Sequence, residues 1–171
     1  GEDHVFGEAF RQIKLRASLE RVREILLRPD LFRESFGLDE EANLSPLKTP
    51  LVTEFTAKIK LRLPIVPDQN YELHYRLVEH KNRVFQFVEQ LKDHEDFALR
   101  ETLVVLESTS DHVMFREVGR LMPLSWTMRA LGAQLRQITK SELQKMNKAL
   151  KCMAESKEPL TDNLASACRS E

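Results

Sequence analysis

Several segments between residues 6 and 122 alternate apolar and polar residues with a period of two. The clearest stretch runs from Phe55 to Leu63, where every second residue is apolar and the residues between are Thr, Lys or Arg. Successive side chains of a strand point to opposite faces, so this alternation predicts a β-strand with one buried face. Weaker alternation of the same kind predicts further strands at 6–16, 71–77, 97–107 and 112–122.

One more predicted strand, at 83–91, is apolar on both parities. Phe85 and Phe87 alternate with Val84 and Val88, a pattern typical of a central strand that is covered on both faces. The connections between the predicted strands are short and polar. Because parallel pairing would need crossover helices, for which these connections have no room, the sequence predicts an antiparallel meander.

Two short helices are predicted directly after the first strand. Ser18 precedes a segment, 19–27, whose apolar residues recur at helical spacing, and it is a suitable N-cap with Arg21 at the N3 position. Pro29 ends this helix, and 31–36 supplies a second helical turn or two that stops at Gly37. The next segment, 39–50, is acidic and then rich in Asn, Ser and Pro, and it has no hydrophobic period, so we predict a loop there.

After Pro123 the hydrophobic period becomes helical. Apolar residues recur mostly at steps of three and four up to Met153, while Arg and Lys take other faces. This pattern predicts one long amphipathic helix that ends before Pro159. The remaining segment, 159–171, is small and polar, and we expect a disordered tail.

The predicted elements define one α+β domain, 1–158. A twisted antiparallel meander with one apolar face needs cover, and the long C-terminal helix is the only predicted element able to provide it. The sequence therefore predicts a helix-grip fold, in which a curved antiparallel sheet wraps round that helix and two short helices follow the first strand.

The composition is that of an ordinary globular domain. Of 171 residues, 42% are hydrophobic and 31% are charged, and 26 Lys and Arg nearly balance 27 Asp and Glu. This balance leaves no global basic field to gather phosphates, so nucleic acid is not expected as a partner.

Two features bear on location. No stretch of about 18 apolar residues occurs, and the first four residues do not resemble a signal peptide, so we expect a soluble, cytoplasmic protein. Because the chain begins with Gly rather than Met, a soluble domain of a longer or membrane-associated protein fits equally well. Cys152 and Cys168 form no obvious disulfide framework and no metal-ligand spacing, which favours a reducing compartment.

The order of elements, from Phe6 to about Ser156, resembles the START-like or SRPBCC superfamily, also called Bet v 1-like. Its members include lipid-transfer START domains, polyketide cyclases and coenzyme Q binding proteins. The resemblance rests on element order and selects no branch. It implies a cavity between sheet and helix that receives sterols, phospholipids, polyketides, quinones or hormones. The Bet v 1 branch has a glycine-rich loop where this sequence has only Leu-Arg-Leu-Pro-Ile-Val-Pro at 61–67, which disfavours a plant-hormone binder.

Three glutamates stand on strand parities that otherwise look buried. They are Glu89, Glu101 and Glu117. An apolar core does not tolerate a charge without a partner, so polar anchors in a ligand cavity are one interpretation. The alternatives are a bulge that shifts the parity, or ion pairs with Arg11, Arg100 or Arg116.

Aromatic residues on the predicted strands supply an apolar lining for such a cavity, although a stripe of this kind is also typical of plain core. Together with two of the three glutamates and residues of the terminal segment, they form the candidate ligand-binding set Phe55, Tyr71, Tyr75, Phe85, Phe87, Glu101, Phe115, Glu117, Trp126, Leu131 and Leu135.

Signals for catalysis and for metal binding are weak. The five histidines are scattered, with no HxxxH pair, so we expect no metal site. No serine elbow, P-loop or dinucleotide fingerprint occurs, and we expect no cofactor. Glu101 and Glu117 could act as acid and base on a bound ring, as a polyketide cyclase would require, but a pair of glutamates is a weak signal.

The segment 121–126, Leu-Met-Pro-Leu-Ser-Trp, forms an apolar approach to the long helix. In START-like proteins this region often gates the cavity, so the resemblance implies a gate here. Transient contact of this segment or of the basic helix with a membrane or a protein is a further interpretation, although a solvated face is the commoner meaning of such charges.

The sequence thus favours a protein that binds a hydrophobic small molecule, such as a lipid, sterol or isoprenoid, for transport or sensing without covalent chemistry. Two alternatives stay open. One is a polyketide cyclase or dehydratase-like enzyme that uses cavity carboxylates, and the other is a protein-interaction module with a filled core.

Overall fold

The computed structural model describes residues 7–32, 42–48, 52–61, 69–91, 97–123 and 125–169. Within these residues seven strands form one sheet. In chain order they are β1 Gly7–Leu15, β2 Ala42–Lys48, β3 Val52–Leu61, β4 Gln69–His80, β5 Arg83–Gln90, β6 Phe97–Ser108 and β7 Val113–Pro123. The helices are α1 Leu19–Leu26, α2 Trp126–Ala130, α3 Gly132–Glu155 and α4 Asp162–Arg169, and a single 3-10 turn spans Pro29–Phe32.

The sheet is antiparallel throughout, with the order β1-β7-β6-β5-β4-β3-β2. The predicted meander is therefore confirmed from β3 to β7. The first strand, β1, pairs with the last strand, β7. Gly7 is the partner of Leu121 at one end of β1, and Leu15 is the partner of Val113 at the other end.

Residues paired across neighbouring strands share one face of the sheet. One such row joins Thr53, Leu77, Gln86, Val104, Glu117 and Arg11. We call the face that carries this row the inner face and the opposite one the outer face. Further members of the inner face are buried, namely Leu15, Phe55, Ala57, Leu73, Tyr75, Val84, Val88, Leu106, Val113 and Phe115.

Helices α1 and α3 both lie on the inner face. Asn147 of α3 accepts a hydrogen bond from Arg11 at 2.6 Å, and the carbonyl oxygen of Leu26 in α1 accepts one from Gln86 at 3.4 Å. Arg21 of α1 also donates to the carbonyl oxygen of Met153 at 3.0 Å, near the end of α3, where a cation offsets the negative end of the helix dipole. The α+β helix-grip fold, with a curved antiparallel sheet and a long C-terminal helix, is confirmed.

The predicted N-terminal cap of α1 is also confirmed. The Ser18 side chain accepts a hydrogen bond from the backbone N–H of Arg21 at 3.1 Å, which satisfies one of the free donors at the helix start. Val22 and Ile25 are the buried residues of this helix.

The long helix is preceded by a short one. Ser125 caps α2, and the backbone leaves helical geometry at Leu131 before α3 begins at Gly132. The apolar positions predicted for one continuous helix still face the core, since Met128, Leu135, Leu150 and Met153 are all buried. The break therefore changes the path of the chain without changing which side is buried.

The loop predicted at 39–50 is wrong in part, because 42–48 forms the edge strand β2. It pairs with β3 and its register shifts between Asn43 and Leu47. An edge strand tolerates Pro46 because one side of its backbone needs no sheet partner. The irregular register explains why this segment shows no alternation of apolar and polar residues.

The disordered tail is also wrong. Helix α4 packs on α3 and on the 3-10 turn, with Leu164, Ala165 and Cys168 buried. A disulfide joins Cys168 to Cys152 in α3, and Arg169 donates to the carbonyl oxygen of Leu31 at 2.6 Å. Disulfides persist mainly in oxidising compartments, so the cysteines do not support the expected reducing, cytoplasmic location.

The second short helix is only a 3-10 turn in the described residues, and its predicted continuation to Gly37 lies outside them. Among the described residues, no helix is both long enough and apolar enough to cross a lipid bilayer.

Candidate functional site

The centre of the inner face is an aromatic pair on neighbouring strands. Phe55 of β3 and Tyr75 of β4 are register partners, and their rings stack in parallel with centroids 4.7 Å apart. The same row continues to Val88 and then to Thr102. Stacked rings beside a β-branched residue form a flat apolar surface, which suits either a packed core or one wall of an apolar binding site.

Helices α2 and α3 cover the inner face near β7 and β1, which they contact. Met128 and Leu135 belong to the same apolar core as Phe55 and Tyr75, and Leu131 packs against that core while remaining half-buried. The candidate site therefore lies on the inner face, between the Phe55–Tyr75 row and the part that these helices cover.

A polar cluster borders this apolar surface. Arg11 of β1 forms an ion pair with Glu117 of β7 and also donates to Asn147 of α3 at 2.6 Å. The Arg11 guanidinium lies over the Phe115 ring, 5.1 Å from its centroid, in a cation–π contact. Three elements are thus joined by one guanidinium that is itself largely buried.

The acidity of the Tyr75 phenol is changed by its surroundings. Tyr75 is only 9% exposed, and its ring stacks on Phe55. Burial, and secondarily the negative charge of Glu117, raise the pKa of the Tyr75 phenol well above its usual value. The group therefore stays protonated and can donate a hydrogen bond.

Two further polar side chains are buried on the inner face. Gln86 makes one long hydrogen bond to the Leu26 carbonyl oxygen, and Thr53 lies two strands away in the same row. Buried polar groups normally have partners in the protein, in ordered water or in a ligand. With Tyr75 they give the inner face several points at which a mostly apolar molecule could be oriented.

The structure brings together more than half of the predicted site residues. Phe115 and Glu117 lie on the inner face of β7, which is the face that carries the Phe55–Tyr75 pair and is covered by the helices. The residues brought to this side are Phe55, Tyr75, Phe115, Glu117, Leu131 and Leu135. Tyr71 and Glu101 occupy strand positions, but their side chains lie outside the described part.

Three predicted residues do not belong to this site. Phe85 and Phe87 lie on the outer face, because the alternate residues of β5, Val84, Gln86 and Val88, are the buried ones. Trp126 is 82% exposed at the start of α2. Phe85 and Phe87 were misplaced because β5 is apolar on both parities, so its sequence does not indicate which side faces the helix.

The sequence offered two alternatives to glutamates that anchor a ligand, namely ion pairs and a bulge. Both occur in the structure. Glu117 forms the ion pair with Arg11, and β6 has a bulge between Arg100 and Leu103 opposite β7. A bulge inserts an extra residue and so reverses the parity on one side of it. Glu89 is exposed on the outer face, where its side chain lies 3.8 Å from His74.

Sequence reasoning missed two of the polar residues. Asn147 follows Leu143 by four positions and precedes Leu150 by three, so it falls on the apolar side of α3. Gln86 stands between Val84 and Val88 on the buried parity of β5. In both cases the sequence places a polar residue at a position that the hydrophobic period assigns to the buried side, and this mismatch could have indicated the residue.

The charged groups of the site are an ion pair. Glu117 is held by Arg11 through its Oε2 atom, which accepts a hydrogen bond from Nε and pairs with the Nη2 nitrogen of the same guanidinium. Among the described residues, no group of three or more His, Cys, Asp and Glu side chains could hold a metal ion. The site offers an apolar surface, one phenolic donor and a neutralised charge pair.

Solved structures with a similar fold include two human START proteins. The StarD13 (DLC2) lipid transfer and protein localization domain matches with a TM-score of 0.58 and 10% identity, over 88% of this chain and 77% of that chain. Human STARD10 matches with a TM-score of 0.51 and 8% identity, over 84% of this chain and 66% of that chain.

A biosynthetic protein has the same fold. The di-domain ARO/CYC BexL from the BE-7585A biosynthetic pathway matches with a TM-score of 0.54 and 12% identity, over 89% of this chain and 51% of that chain, so this chain spans about half of it. No protein-family model and no curated protein matches the sequence. At such low identities the likeness shows the fold alone, and that fold is the START-like, or SRPBCC, helix-grip fold.

Proposed function

We propose that the chain binds a hydrophobic small molecule of the lipid, sterol or isoprenoid class between the inner face and α2–α3, for transport or sensing. The observation that carries this proposal is the stacked Phe55–Tyr75 pair on the inner face, which sets a protonated phenol beside an apolar surface. A hydrogen bond from that phenol to an acceptor on the ligand would contribute about 0.5–1.5 kcal/mol. The apolar surroundings of the phenol require the rest of that molecule to be apolar.

The proposal includes the Arg11–Glu117 pair as the polar border of the site. A ligand with one hydroxyl or carbonyl group would place that group near Tyr75 and this pair and its hydrocarbon part along Phe55 and Leu135. The human StarD13 domain, described as a lipid transfer domain, has the same fold and is consistent with this chemistry.

The first experiment identifies the ligand. The native chain is purified under mild conditions and its organic extract is examined by mass spectrometry. We expect a co-purified molecule with a large apolar part and one polar end. An extract with no such molecule, together with no binding of fluorescent fatty-acyl and sterol probes, would contradict the proposal.

The second experiment uses one substitution at two matched places. Val88→Phe adds bulk to the inner face beside Tyr75, whereas Val78→Phe adds the same bulk to the outer face. If the interior accommodates a ligand, Val88→Phe lowers probe binding with little loss of stability, and Val78→Phe leaves binding unchanged. If the interior is a filled core, Val88→Phe instead destabilises the fold by about 1–3 kcal/mol because the core is overpacked. That outcome would favour the protein-interaction module.

The cyclase alternative has the same fold in its favour, since the ARO/CYC protein BexL shares it. Glu117 is held by Arg11, and the side chain of Glu101 lies outside the described part. Incubation with an aromatic polyketide precursor tests this alternative. Turnover that disappears in Glu101→Gln or Glu117→Gln would replace the carrier proposal with an enzymatic one.

We also propose that the exposed Trp126 touches a membrane surface when ligand is exchanged. Trp side chains favour the bilayer interface, and the outward side of α2 and α3 is basic, with exposed Arg136, Lys140 and Lys148. Trp126→Ser should reduce co-sedimentation with vesicles that contain anionic lipid, whereas a change of the outer-face residue Phe10 to Ser should not. Equal binding by native chain and Trp126→Ser would count against this contact.

A further inference from the structure

The C-terminal helix α4 is fixed to two other elements by two consecutive residues of its last turn. Cys168 forms the disulfide with Cys152 of α3, and Arg169 donates a hydrogen bond to the carbonyl oxygen of Leu31 in the 3-10 turn at 2.6 Å. One of these contacts is covalent and the other is not. Because the two residues are neighbours, the disulfide also sets the position from which the Arg169 guanidinium reaches the turn.

The packing of α4 is limited. The helix has eight residues, and its buried residues are Leu164, Ala165 and Cys168, of which only Leu164 has a large apolar side chain. Thr161 caps its start by accepting a hydrogen bond from the backbone N–H of Leu164 at 3.2 Å. Helices of this length are marginal in water unless tertiary contacts stabilise them. The order of α4 therefore depends on the contacts of its last turn as well as on Leu164.

The disulfide closes a local loop. It joins two residues that are 16 positions apart, and none of the residues between them belongs to a strand. Breaking the bond therefore frees the last turn of α4 but removes no pairing between strands. By the chain-entropy relation, a loop of this size favours the closed form by about a hundred-fold.

This bond is the single target for a thiol reductant in the chain. The sequence contains two cysteines, and both are in the disulfide. Cys152 is half-buried whereas Cys168 is 2% exposed, so a thiolate reaches the sulfur of Cys152 more easily. Attack there forms a mixed disulfide, and Cys168 leaves as a thiolate. The second thiol of a dithiol reductant then displaces Cys152, so two electrons pass to the protein and the reductant becomes a disulfide.

The 3-10 turn beneath α4 follows directly on α1. The backbone N–H of Leu31 donates to the carbonyl oxygen of Arg28 at 3.0 Å, and the Arg28 side chain binds Asp30. The Leu31 side chain is fully buried, in the same apolar core as Leu164. Release of α4 would thus remove both the Arg169 donor from the Leu31 carbonyl and apolar cover from this core.

We propose that α4 is a redox-controlled cover, which lies on α3 and the 3-10 turn in the oxidised chain and is released when the Cys152–Cys168 bond is reduced. The cover is closed under oxidising conditions and open under reducing ones. Its release loosens the turn and gives water access to Leu31. The device requires no ligand on the inner face, so its test is separate from the tests of the proposed function.

The test compares hydrogen exchange of the full native chain in its oxidised form and in dithiothreitol, measured by mass spectrometry. We expect the amides of 162–169 to exchange about a hundred-fold faster on reduction, and those of 28–32 to exchange faster as well. The amides of β5 should not change, since its pairings lie outside the loop. Glutathione disulfide should restore the original rates, because it accepts the two electrons and is itself reduced to two thiols.

The double variant Cys152→Ser with Cys168→Ser is the control for the reductant. It should exchange as the reduced native chain does, and dithiothreitol should have no effect on it. Rates in 162–169 that are as slow after reduction as before would overturn the proposal, because packing alone would then hold α4. An equal acceleration in β5 would also overturn it, since the bond would then stabilise the whole fold and not one cover.

A second variant tests the coupling to the turn. Arg169→Met removes the donor to the Leu31 carbonyl and retains the disulfide, so in the oxidised chain it should accelerate exchange in 28–32 and leave 162–167 protected. Arg136→Met is the matched control, since it makes the same change at an exposed position of α3, and it should alter neither rate. If reduction of the native chain releases α4 while exchange in 28–32 stays the same, the proposed loosening of the turn is wrong.

Discussion

Tyr75 combines a buried, stacked ring with a phenol whose pKa is raised. The ring is held by Phe55 on one side of the sheet surface, whereas the hydroxyl lies near the negative charge of Glu117. At the residue scale this separation of an apolar body from a polar end is the feature that defines the candidate site.

The raised pKa of Tyr75 predicts a delayed alkaline titration. The unfolded phenol ionises near pH 10, but in the folded chain burial keeps it neutral. Its contribution to stability is therefore complete below about pH 10 and is lost as the pH rises above that value, because only the unfolded state then releases the proton. Absorbance titration of tyrosinate should show a late step that coincides with unfolding and is absent in Tyr75→Phe. A Tyr75 that ionises reversibly near pH 10 in the folded state would contradict this.

The Arg11–Glu117 pair predicts a strongly non-additive pair of substitutions. Glu117→Gln leaves a largely buried guanidinium without its carboxylate and should lower the free energy of unfolding by about 2 kcal/mol. Replacing both residues, Arg11→Met with Glu117→Leu, should recover most of that loss because no charge remains buried. Urea unfolding measures the free energy of unfolding of each variant. If the loss in the double variant equals the sum of the losses in Arg11→Met alone and Glu117→Leu alone, the pair contributes little.

At the residue scale the sequence predicted the right residue types but not always the right face. Phe55 and Phe115 lie on the buried face that the alternation of their strands predicts. For β5 the alternation was uninformative, and Phe85 and Phe87 proved to lie on the outer face. Ion-pair partners such as Arg11 and Glu117 are 106 residues apart, so only the register of β1 against β7 could show that they meet.

At the scale of elements, the last helix, α4, is fixed to two other elements. Helix α4 contacts both α3 and the 3-10 turn, through the Cys152–Cys168 disulfide and the bond from Arg169 to Leu31. The sequence predicted the strands and the long helix because their periods are regular. It did not indicate α4 because an eight-residue helix with small apolar residues, Ala165 among them, resembles a polar tail.

The disulfide predicts a measurable stabilisation. It closes a loop of 16 residues, and constraining the unfolded chain by a loop of this size is worth about 3 kcal/mol. Cys152→Ser with Cys168→Ser should lower the free energy of unfolding by roughly that amount and should accelerate hydrogen exchange in 162–169 before that of the sheet. Unchanged protection of α4 in this variant would mean that packing alone holds it.

At the scale of the whole molecule, the sheet separates two different surfaces. The inner face carries the candidate ligand site under α1 and α3, and the outer face carries exposed apolar residues such as Phe10, Phe87 and Val118. The helix-grip architecture was predictable from the order of elements, because only one helix could cover the meander. The exposure of Phe87 was not, since apolar residues on both parities of β5 are equally compatible with a second covering layer of the same chain.

Ligand binding predicts a shift in stability that does not depend on the outer face of the sheet. A ligand at one hundred times its dissociation constant should raise the free energy of unfolding by about 2.7 kcal/mol. Thermal unfolding with the co-purified molecule, or with a bound probe, should show the same increase for the native chain and for Phe87→Asp. An increase confined to the native chain would mean that the two faces are coupled.

The covalent link between α3 and α4 has a consequence for cleavage of the chain. The connection between these helices contains the exposed Lys157, which is accessible to trypsin. A cut at that bond would produce a two-chain molecule whose small C-terminal fragment is still bound through sulfur and still covers the turn at Leu31. Such a nicked molecule would migrate as one species until a thiol reductant is added, so proteolysis at this corner would leave no trace without reduction.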